Sequence, residues 1–317
     1  MKEKTNNQDR PSGIKKWWVA IRPFALPASV MPVFFGSVLA ITIGGATPDW
    51  LLFIAAMVAM AILHTGSNLL NDVYDFKKGI DQHVNPVSGG VVRGWITARE
   101  ARFAGILCLF CGSLLGLLIA VQVGYVILLI GIVGVTIGVI YTWGPLPLKF
   151  NALGDLAVFL NFGILGSLGA WTVQTGSPSW TPVIWAIPMS LLVVGILHSN
   201  NWRDISTDDA SGIRTIASVL GDRLSEGYYS FLIMGPFVVI FTLILITRLT
   251  GFTQQMPYTF LITFLAIPAA FKLTKKGKQR FISDQPLNFM ALDGATAQLN
   301  LLFGVLCVFA LGIDKLI

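Results

Sequence analysis

Two segments of the chain each carry a row of side chains that could bind a metal ion. Each segment follows an apolar stretch and offers an asparagine, an aspartate four residues later and a further acid about one turn on: Asn68, Asp72 and Asp75, then Asn200, Asp204 and Asp208. Residues four apart lie on one face of a helix, so each set projects from one helix end. Stacked carboxylates at a membrane boundary repel one another and are poorly solvated. The pattern therefore predicts two cation sites.

Magnesium suits such sites, because it binds through one or two carboxylates together with phosphate oxygens. Two facing sites would hold Mg²⁺ ions bridged by a diphosphate. Further phosphate contacts are available from nearby cations, namely Lys77, Lys78, Arg203 and Arg214. The alternative is that the acids are solvated loop residues, which we expect of Asp209, Asp222 and Glu226. The recurrence of one pattern at equivalent positions favours the metal sites.

The elements that position these acids are predicted to be membrane-spanning helices. Of the 317 residues, 54% are hydrophobic and 12% are charged, too little charge to cover a soluble protein of this size. Pro23, Pro27 and Pro32 break the first apolar stretch, so we expect an interfacial helix leading into a kinked one. A span needs about 20 apolar residues, and the sequence predicts an all-α polytopic protein with nine spans near 19–45, 51–71, 102–122, 125–143, 154–174, 181–200, 228–248, 256–272 and 293–313.

The distribution of positive charge predicts the orientation. With a cytoplasmic N-terminus and nine spans, all but two of the 22 Lys and Arg residues, Arg248 and Lys315, fall on the cytoplasmic side. Both Asp-rich segments fall on that side, and the C-terminus falls outside. We expect residues 1–16 to be a polar cytoplasmic tail and residues 17–317 a single membrane domain. The basic face suits anionic membrane lipid or an anionic substrate, and nucleic acid is not an expected partner.

The spacing of the two Asp-rich segments predicts an internal repeat. They lie four predicted spans apart, which indicates two related four-helix halves with a ninth helix appended. Secondary transporters also have repeats, and a transporter is the main alternative from another functional class. Transporters, however, place polar groups near the bilayer midplane on broken helices. The predicted spans here are nearly free of charge, and the carboxylates gather at one face, which favours an enzyme.

At the two Asp-rich segments the chain resembles the UbiA superfamily of intramembrane prenyltransferases. Within it, the chain is most similar to the 1,4-dihydroxy-2-naphthoate polyprenyltransferases of menaquinone synthesis. The similarity runs from Trp18 to about Leu311. The segments that carry it are Arg22 and Pro23, Leu26 to Ser29, Asn68 to Asp75, Tyr141 to Lys149, Leu153 to Asp155, Gln174 to Gly176, Asn200 to Asp208, Arg214 and Thr215, and Leu220 and Gly221.

The resemblance implies nine helices around a central cavity that is capped by the two Asp-rich loops and opens sideways to lipid. It makes Asn68, Asp72 and Asp75 the first metal–diphosphate motif and Asn200, Asp204 and Asp208 the second, with Tyr141 and Lys149 near the diphosphate and the nascent cation. We expect further substrate contacts from Arg22, Asn71, Arg93, Asn201 and Asp155, although Asp155 has a structural alternative as a helix N-cap. Gly79 replaces the third acid of the first motif, so Asp81 is a candidate metal ligand. The glycine-rich segment 86–94 is either a diphosphate contact or a plain loop.

These observations together predict the transfer of a polyprenyl chain from its diphosphate to an aromatic acceptor. Magnesium and cationic side chains neutralise the leaving group, and a dry cavity protects the allylic cation from water. The resemblance implies 1,4-dihydroxy-2-naphthoate as the acceptor, with loss of CO₂ to give demethylmenaquinone in a prokaryotic plasma membrane. The acceptors 4-hydroxybenzoate, homogentisate and a lipid are the alternatives.

Overall fold

The computed structural model describes residues 13–78, 90–281, 289 and 291–317. Within these ranges every regular element is a helix, and the one β-type pairing is an isolated parallel bridge between Asn151 and Arg214. The predicted all-α class is confirmed for this part of the chain. Asp81 and residues 86–89 of the glycine-rich segment 86–94 lie outside the described residues.

The first described helix is broken into two by proline. Helix α1 (Ile14–Ile21) leads through a 3₁₀ turn (Pro23–Ala25) into α2 (Pro27–Thr42). Pro27 starts α2 because proline fixes φ and needs no N–H partner in the first turn. The two parts meet at a bend of 49°, which confirms the predicted break. Helix α1 already includes residues 14–16, which we had expected in the tail.

The next helices are long and mostly regular. They are α3 (Trp50–Lys78), α4 (Ala98–Val123) and α5 (Tyr125–Thr142). Thr97 and Glu100 form a capping box at the start of α4, and Gly124, with a φ of 126°, makes the turn into α5. After a 3₁₀ turn (Leu148–Phe150), a continuous helical stretch comprises α6 (Gly154–Val158), a π-helical turn (Phe159–Leu165) and α7 (Gly166–Thr175).

The second half of the chain contains shorter and broken helices. They are α8 (Trp180–Trp185), α9 (Ile187–Arg203), α10 (Ile205–Ala210), α11 (Ile216–Thr250), a 3₁₀ helix (Tyr258–Ala266), α12 (Ile267–Lys278), a 3₁₀ turn (Gln279–Phe281) and α13 (Leu292–Leu316). Gly221, with φ of 71° and ψ of 174°, interrupts α11 near its start. The chain therefore changes direction between α10 and the long part of α11.

Six described helices are long and apolar enough to cross a membrane, or seven when the bent first pair counts as one span. The chain is therefore an integral membrane protein. The predicted count of nine is not confirmed, because the expected spans 181–200 and 256–272 fall on broken helices. Residues 181–200 divide into α8 and α9, with Pro188 in the first turn of α9, and residues 256–272 fall on the 3₁₀ helix followed by α12.

Close helix crossings build the interior around the first and last helices. The largest buried cluster joins α2, α8, α11 and α13 through Phe35, Trp185, Phe237 and Phe303. Helix α2 also crosses α7 at Gly36, where an added Cβ would lie 2.3 Å from the Ser167 carbonyl oxygen. Small residues at such crossings allow membrane helices to approach closely. These crossings hold the helix ends that carry the two Asp-rich segments.

Candidate active site

The first Asp-rich segment lies on the last turns of α3, which extends beyond its predicted end. Asp72 and Asp75 are both buried. Arg22 Nη2 donates to Asp72 Oδ1 at 2.5 Å. Lys149 Nζ donates to the two Asp75 carboxylate oxygens at 2.6 Å and 2.8 Å and to Asn71 Oδ1 at 2.9 Å. Each buried carboxylate of this segment therefore has a cation from another part of the chain.

Irregular backbone holds both of these cations. Arg22 takes the left-handed conformation, with a φ of 54°, between α1 and Pro23. Lys149 lies in the 3₁₀ turn that follows Pro147. Backbone hydrogen bonds tie this turn to the loop after α10, because Arg214 N donates to Phe150 O at 3.2 Å and Ala152 N donates to Arg214 O at 2.6 Å. The Lys149 turn is thus fixed to the segment that follows the second Asp-rich motif.

The second Asp-rich segment lies where α9 ends and α10 begins. Arg203 binds the Asp204 carboxylate through two hydrogen bonds of 2.9 Å, from Nε and from Nη2. The same guanidinium donates to Asn200 Oδ1 and, at 3.1 Å, to Asp293 Oδ2. Asp293 stands in the first turn of α13. One arginine therefore links the second segment to the last helix.

Asp208 brings the two segments into electrostatic contact. Its side chain is buried in α10. Burial, together with the charges of Asp204, Asp75 and Asp209, raises the pKa of Asp208 to about 7, whereas Lys149 opposes the shift. The charges of Asp75 and Lys149, which belong to the first site, are therefore close enough to act on Asp208. An additional positive charge at this place would favour the ionised carboxylate.

The carboxylates do not form a ready-made metal cage in the described part of the chain. No group of three or more His, Cys, Asp or Glu side chains there is arranged to hold an ion. The donor set nevertheless fits Mg²⁺, which needs only one or two carboxylates when phosphate oxygens and water complete its shell. The Asn68 amide fits the diphosphate, since its buried Nδ2, a hydrogen-bond donor, has no partner and the residue lines a cavity at the end of α3.

Two cavities meet beneath the Asp-rich helix ends. The first has a volume of about 160 Å³ and a partly polar wall that includes Arg22, Asn68, Tyr141, Lys149 and Asn200. The second has a volume of about 420 Å³ and a mostly apolar wall built from α3, α4, α5 and α7. The two cavities share five wall residues: His64, Ser67, Gly138, Asn161 and Phe162. The arrangement suits a ligand with a charged head and a long apolar tail.

Several predicted site residues lie outside both cavity walls, including the four proposed metal-binding carboxylates and their arginine neighbour, namely Asp72, Asp75, Asp204, Asp208 and Arg203. Lys77 is exposed, and the side chain of Lys78 is not among the described parts. Arg93 stacks over the Trp95 ring at 4.7 Å, and Arg214 is exposed and contributes its backbone. Asn201 is buried but is absent from the lining residues.

Asp155 has a structural environment that differs from its predicted one. The N-cap of α6 is Leu153, so the interpretation of Asp155 as an N-cap is wrong. Asp155 lies buried within the first turn, where its Oδ2 is 3.8 Å from His198 Nδ1. It is not a lining residue of either cavity. The carboxylate therefore faces α9 at His198, and its predicted contact with the acceptor stays a prediction.

The sequence-based prediction did not include three residues that line a cavity. Asp293 pairs with Arg203 and lines the polar cavity, and its place at the cytoplasmic end of the last predicted span was the available signal. Asn161 projects from the π-helical turn, which apolar periodicity does not reveal. His64 makes a buried hydrogen bond with Ser29 and also lines both cavities, and its place one turn before Asn68 on α3 was the signal.

Comparisons with known proteins agree with this geometry. The model of the UbiA prenyltransferase family matches residues 29–292. The chain is 33% identical over 296 residues to UbiA prenyltransferase domain-containing protein 1 of Xenopus tropicalis, covering 92% of this chain and 80% of that protein. It is 31% identical over 290 residues to the 1,4-dihydroxy-2-naphthoate octaprenyltransferase of Bacillus subtilis, covering 91% of this chain and 89% of that protein.

Solved structures share the fold at low sequence identity. A UbiA homolog from Aeropyrum pernix K1 superposes with a TM-score of 0.64 and 15% identity, covering 92% of this chain and 96% of that chain. A UbiA homolog from Archaeoglobus fulgidus bound to DMAPP and Mg²⁺ has a TM-score of 0.59 and 16% identity, covering 93% and 99%. At such identities the similarity establishes the helical architecture.

Proposed function

Because this chain belongs to the UbiA prenyltransferase family and is a prenyltransferase, we propose that it transfers a polyprenyl chain from its diphosphate to 1,4-dihydroxy-2-naphthoate, with loss of CO₂ to give demethylmenaquinone in its reduced, quinol form. The observation that carries the proposal is that the polar cavity, which Arg22 and Lys149 line, joins the larger apolar cavity. The charged end suits the diphosphate and the apolar cavity suits the prenyl tail.

The Asp-rich helix ends hold the diphosphate in this proposal. Asp72, Asp75, Asp204 and Asp208 would hold Mg²⁺, which supplies positive charge to the leaving group when bound. Asp81 is a further proposed ligand. The phosphate oxygens would also accept hydrogen bonds from Arg22, Lys149 and Arg203, because an arginine or lysine beside a carboxylate can bind a phosphate as well. These donors are fixed before the substrate arrives, so they need little reorganisation.

The cavity wall protects the cation that forms. The C1–O bond breaks with its electron pair leaving on the diphosphate, and the electron-rich acceptor ring then bonds to C1. Water would capture the allylic cation, so an apolar chamber is required. Tyr141 and Phe162 line the polar cavity, and aromatic faces stabilise a cation through their electron-rich surface. The tail extends into the cavity that is walled by α3, α4, α5 and α7.

The identity of the acceptor is the part of the proposal for which other candidate molecules exist. The name of the Xenopus tropicalis relative specifies no acceptor, so 4-hydroxybenzoate, homogentisate or a lipid stands as the second candidate. A transporter is disfavoured, because the described ionisable groups of the site collect at the helix ends and are paired there.

The placement in the membrane is likewise a proposal. The positive-inside distribution supports cytoplasmic Asp-rich loops and an outside C-terminus, with residues 17–317 as one membrane domain after a polar tail of residues 1–16. A prokaryotic plasma membrane is proposed from the resemblance to the naphthoate prenyltransferases. Labelling of single cysteines introduced near Lys77 and near Lys315 tests this orientation. Reaction of both sites with an impermeant reagent from the same side of the membrane would contradict it.

The test of the reaction supplies the purified protein with Mg²⁺, prenyl diphosphates of several lengths and one acceptor at a time. We expect dihydroxynaphthoate to give a product whose mass equals prenylated naphthoate less CO₂, and we expect EDTA to stop its formation. Exclusive use of another acceptor would replace the naphthoate assignment and leave the prenyltransferase class intact.

A further inference from the structure

His64 lies where the polar cavity and the apolar cavity meet. It stands one turn before Asn68 on α3, a distance of about 6 Å along the helix axis, and it shares the common wall with Ser67, Asn161 and Phe162. Its ring packs on Phe162 with a centroid distance of 4.6 Å and an interplanar angle of 38°. An aromatic ring that enters below the diphosphate-binding side chains would meet this pair of rings.

The hydrogen bonds of Ser29 favour one tautomer of His64, and we assign that tautomer as part of the inference. Ser29 Oγ lies 3.1 Å from the Leu26 carbonyl oxygen, to which it can donate its single proton. The same Oγ lies 2.7 Å from His64 Nδ1, and with its own proton on Leu26 it accepts from an Nδ1–H. Burial in a largely apolar wall disfavours a charged ring. In the neutral ring Nε2 then carries a lone pair, and it is the polar atom that His64 presents to the cavities.

We propose that His64 Nε2 accepts a hydrogen bond from a ring hydroxyl of the aromatic acceptor and holds that ring against Phe162, an inference that rests on the prenyl transfer proposed above. The other substrate does not suit this atom, because a prenyl chain has no hydrogen-bond donor and an ionised diphosphate offers only acceptors. A phenolic ring supplies both a donor and a face for packing. His64 is thereby a specificity-determining residue for a hydroxylated acceptor.

Two substitutions of His64 test the roles of Nδ1 and Nε2 separately. His64→Asn retains a donor that can reach Ser29 and removes the atom that faces the cavities. His64→Gln retains an amide oxygen near the position of Nε2. We expect His64→Asn to raise the KM for the acceptor about tenfold, the effect of one hydrogen bond, with an unchanged KM for the prenyl diphosphate. His64→Gln is expected to restore most of the lost affinity.

Acceptor analogues in which one ring hydroxyl is replaced by hydrogen make the test specific. The wild-type protein should use one of these analogues about tenfold less efficiently than the parent, and His64→Asn should not distinguish that analogue from the parent. Ser29→Ala, which removes the group that fixes the proton, should weaken the discrimination several-fold without changing a cavity-lining side chain. This variant also provides the test if His64→Asn does not fold.

The outcomes distinguish this inference from the proposed function. An active wild-type protein whose discrimination among the analogues persists in His64→Asn would overturn the role of His64 and leave prenyl transfer intact. An increase in the KM for the prenyl diphosphate instead of the acceptor would also overturn it. A wild-type protein that forms no product with any aromatic acceptor would remove the proposed function, and the role of His64 with it.

Discussion

The carboxylates at the cavity mouth are paired with cations from distant parts of the chain. Asp72 pairs with Arg22, and Asp75 pairs with Lys149. Such pairs contribute little net stability, because the desolvation of both charges offsets their attraction. They do fix the direction in which the cationic donors point, which favours the binding of a later anion. We interpret these pairs as the resting arrangement of a diphosphate site.

Asp208 and its neighbour Asp209 provide a matched pair for testing the site. Asp208 is buried beside the first Asp-rich segment, whereas Asp209 is exposed. Asp208→Asn is expected to lower kcat by roughly a hundredfold or more, because a lost electrostatic contact to the leaving group weakens transition-state stabilisation. Asp209→Asn should leave kcat within about twofold. Rates measured over a Mg²⁺ titration check both values, and equal effects of the two variants would remove the ligand role of Asp208.

Asp293 is expected to act through Arg203. The carboxylate holds Arg203 Nη1 at 3.1 Å, so Asp293→Asn should leave the guanidinium less firmly held against Asn200 and Asp204. We expect kcat/KM for the prenyl diphosphate to fall roughly tenfold. Steady-state kinetics measures the change, and Asp314→Asn, at the other end of the same helix, is the control. An unchanged kcat/KM in Asp293→Asn would mean that Asp204 and Asn200 suffice to orient Arg203.

At the scale of helices, the site depends on where regular structure stops. Arg22 occupies the bend between α1 and α2, Lys149 occupies a 3₁₀ turn, and Asp204 occupies the junction of α9 and α10. Side chains at such ends can converge from several directions, whereas those within one helix share an axis. The π-helical turn adds Asn161 in the same way, as π-helical turns often do at functional sites.

The crossing of α2 and α7 gives a prediction at this scale. A Cβ on Gly36 would lie 2.3 Å from the Ser167 carbonyl oxygen, and a backbone atom cannot rotate away as a side chain can. Gly36→Ala should therefore destabilise the protein by about 1 to 3 kcal/mol through overpacking. Thermal unfolding in detergent measures the loss. Gly312→Ala is the control, because nothing lies within 4 Å of its added Cβ, and equal melting temperatures for the two variants would contradict the close crossing.

Local patterns in the sequence predicted the helices and the Asp-rich motifs, but not the contacts between distant segments. The recurrence of Asn68 and Asp72 at Asn200 and Asp204 is visible at helical spacing. The pairing of Asp293 with Arg203 depends on how α13 packs against α9, which no short-range pattern records. The break between α8 and α9 also depends on packing, because Pro188 is tolerated both in a first turn and in a kinked span.

At the scale of the whole molecule, polarity changes along the chamber. The Asp-rich ends and their cations occupy one end, the rings of Tyr141 and Phe162 lie in the wall of the polar cavity, and the apolar cavity extends along α7 toward Val173. This order matches the order of groups in a prenyl diphosphate. A charged head that is held at one end fixes how far a tail of given length reaches. The size of the apolar cavity should therefore set the longest tail that the protein accepts.

Gly169 tests that relation, because it lines the apolar cavity about 10 Å along the helical stretch from Phe162. An added Cβ would lie 3.6 Å from Ile130 Cγ2, an ordinary contact, so a larger side chain can extend into the cavity. Gly169→Phe should lower kcat/KM roughly tenfold for the longest prenyl diphosphates and leave the shortest nearly unaffected. Competition among donors of several lengths, read by product mass, measures the shift. Gly227→Phe adds the same bulk on α11 away from the cavity-lining residues, and an equal loss for all lengths in Gly169→Phe would show that the tail lies elsewhere.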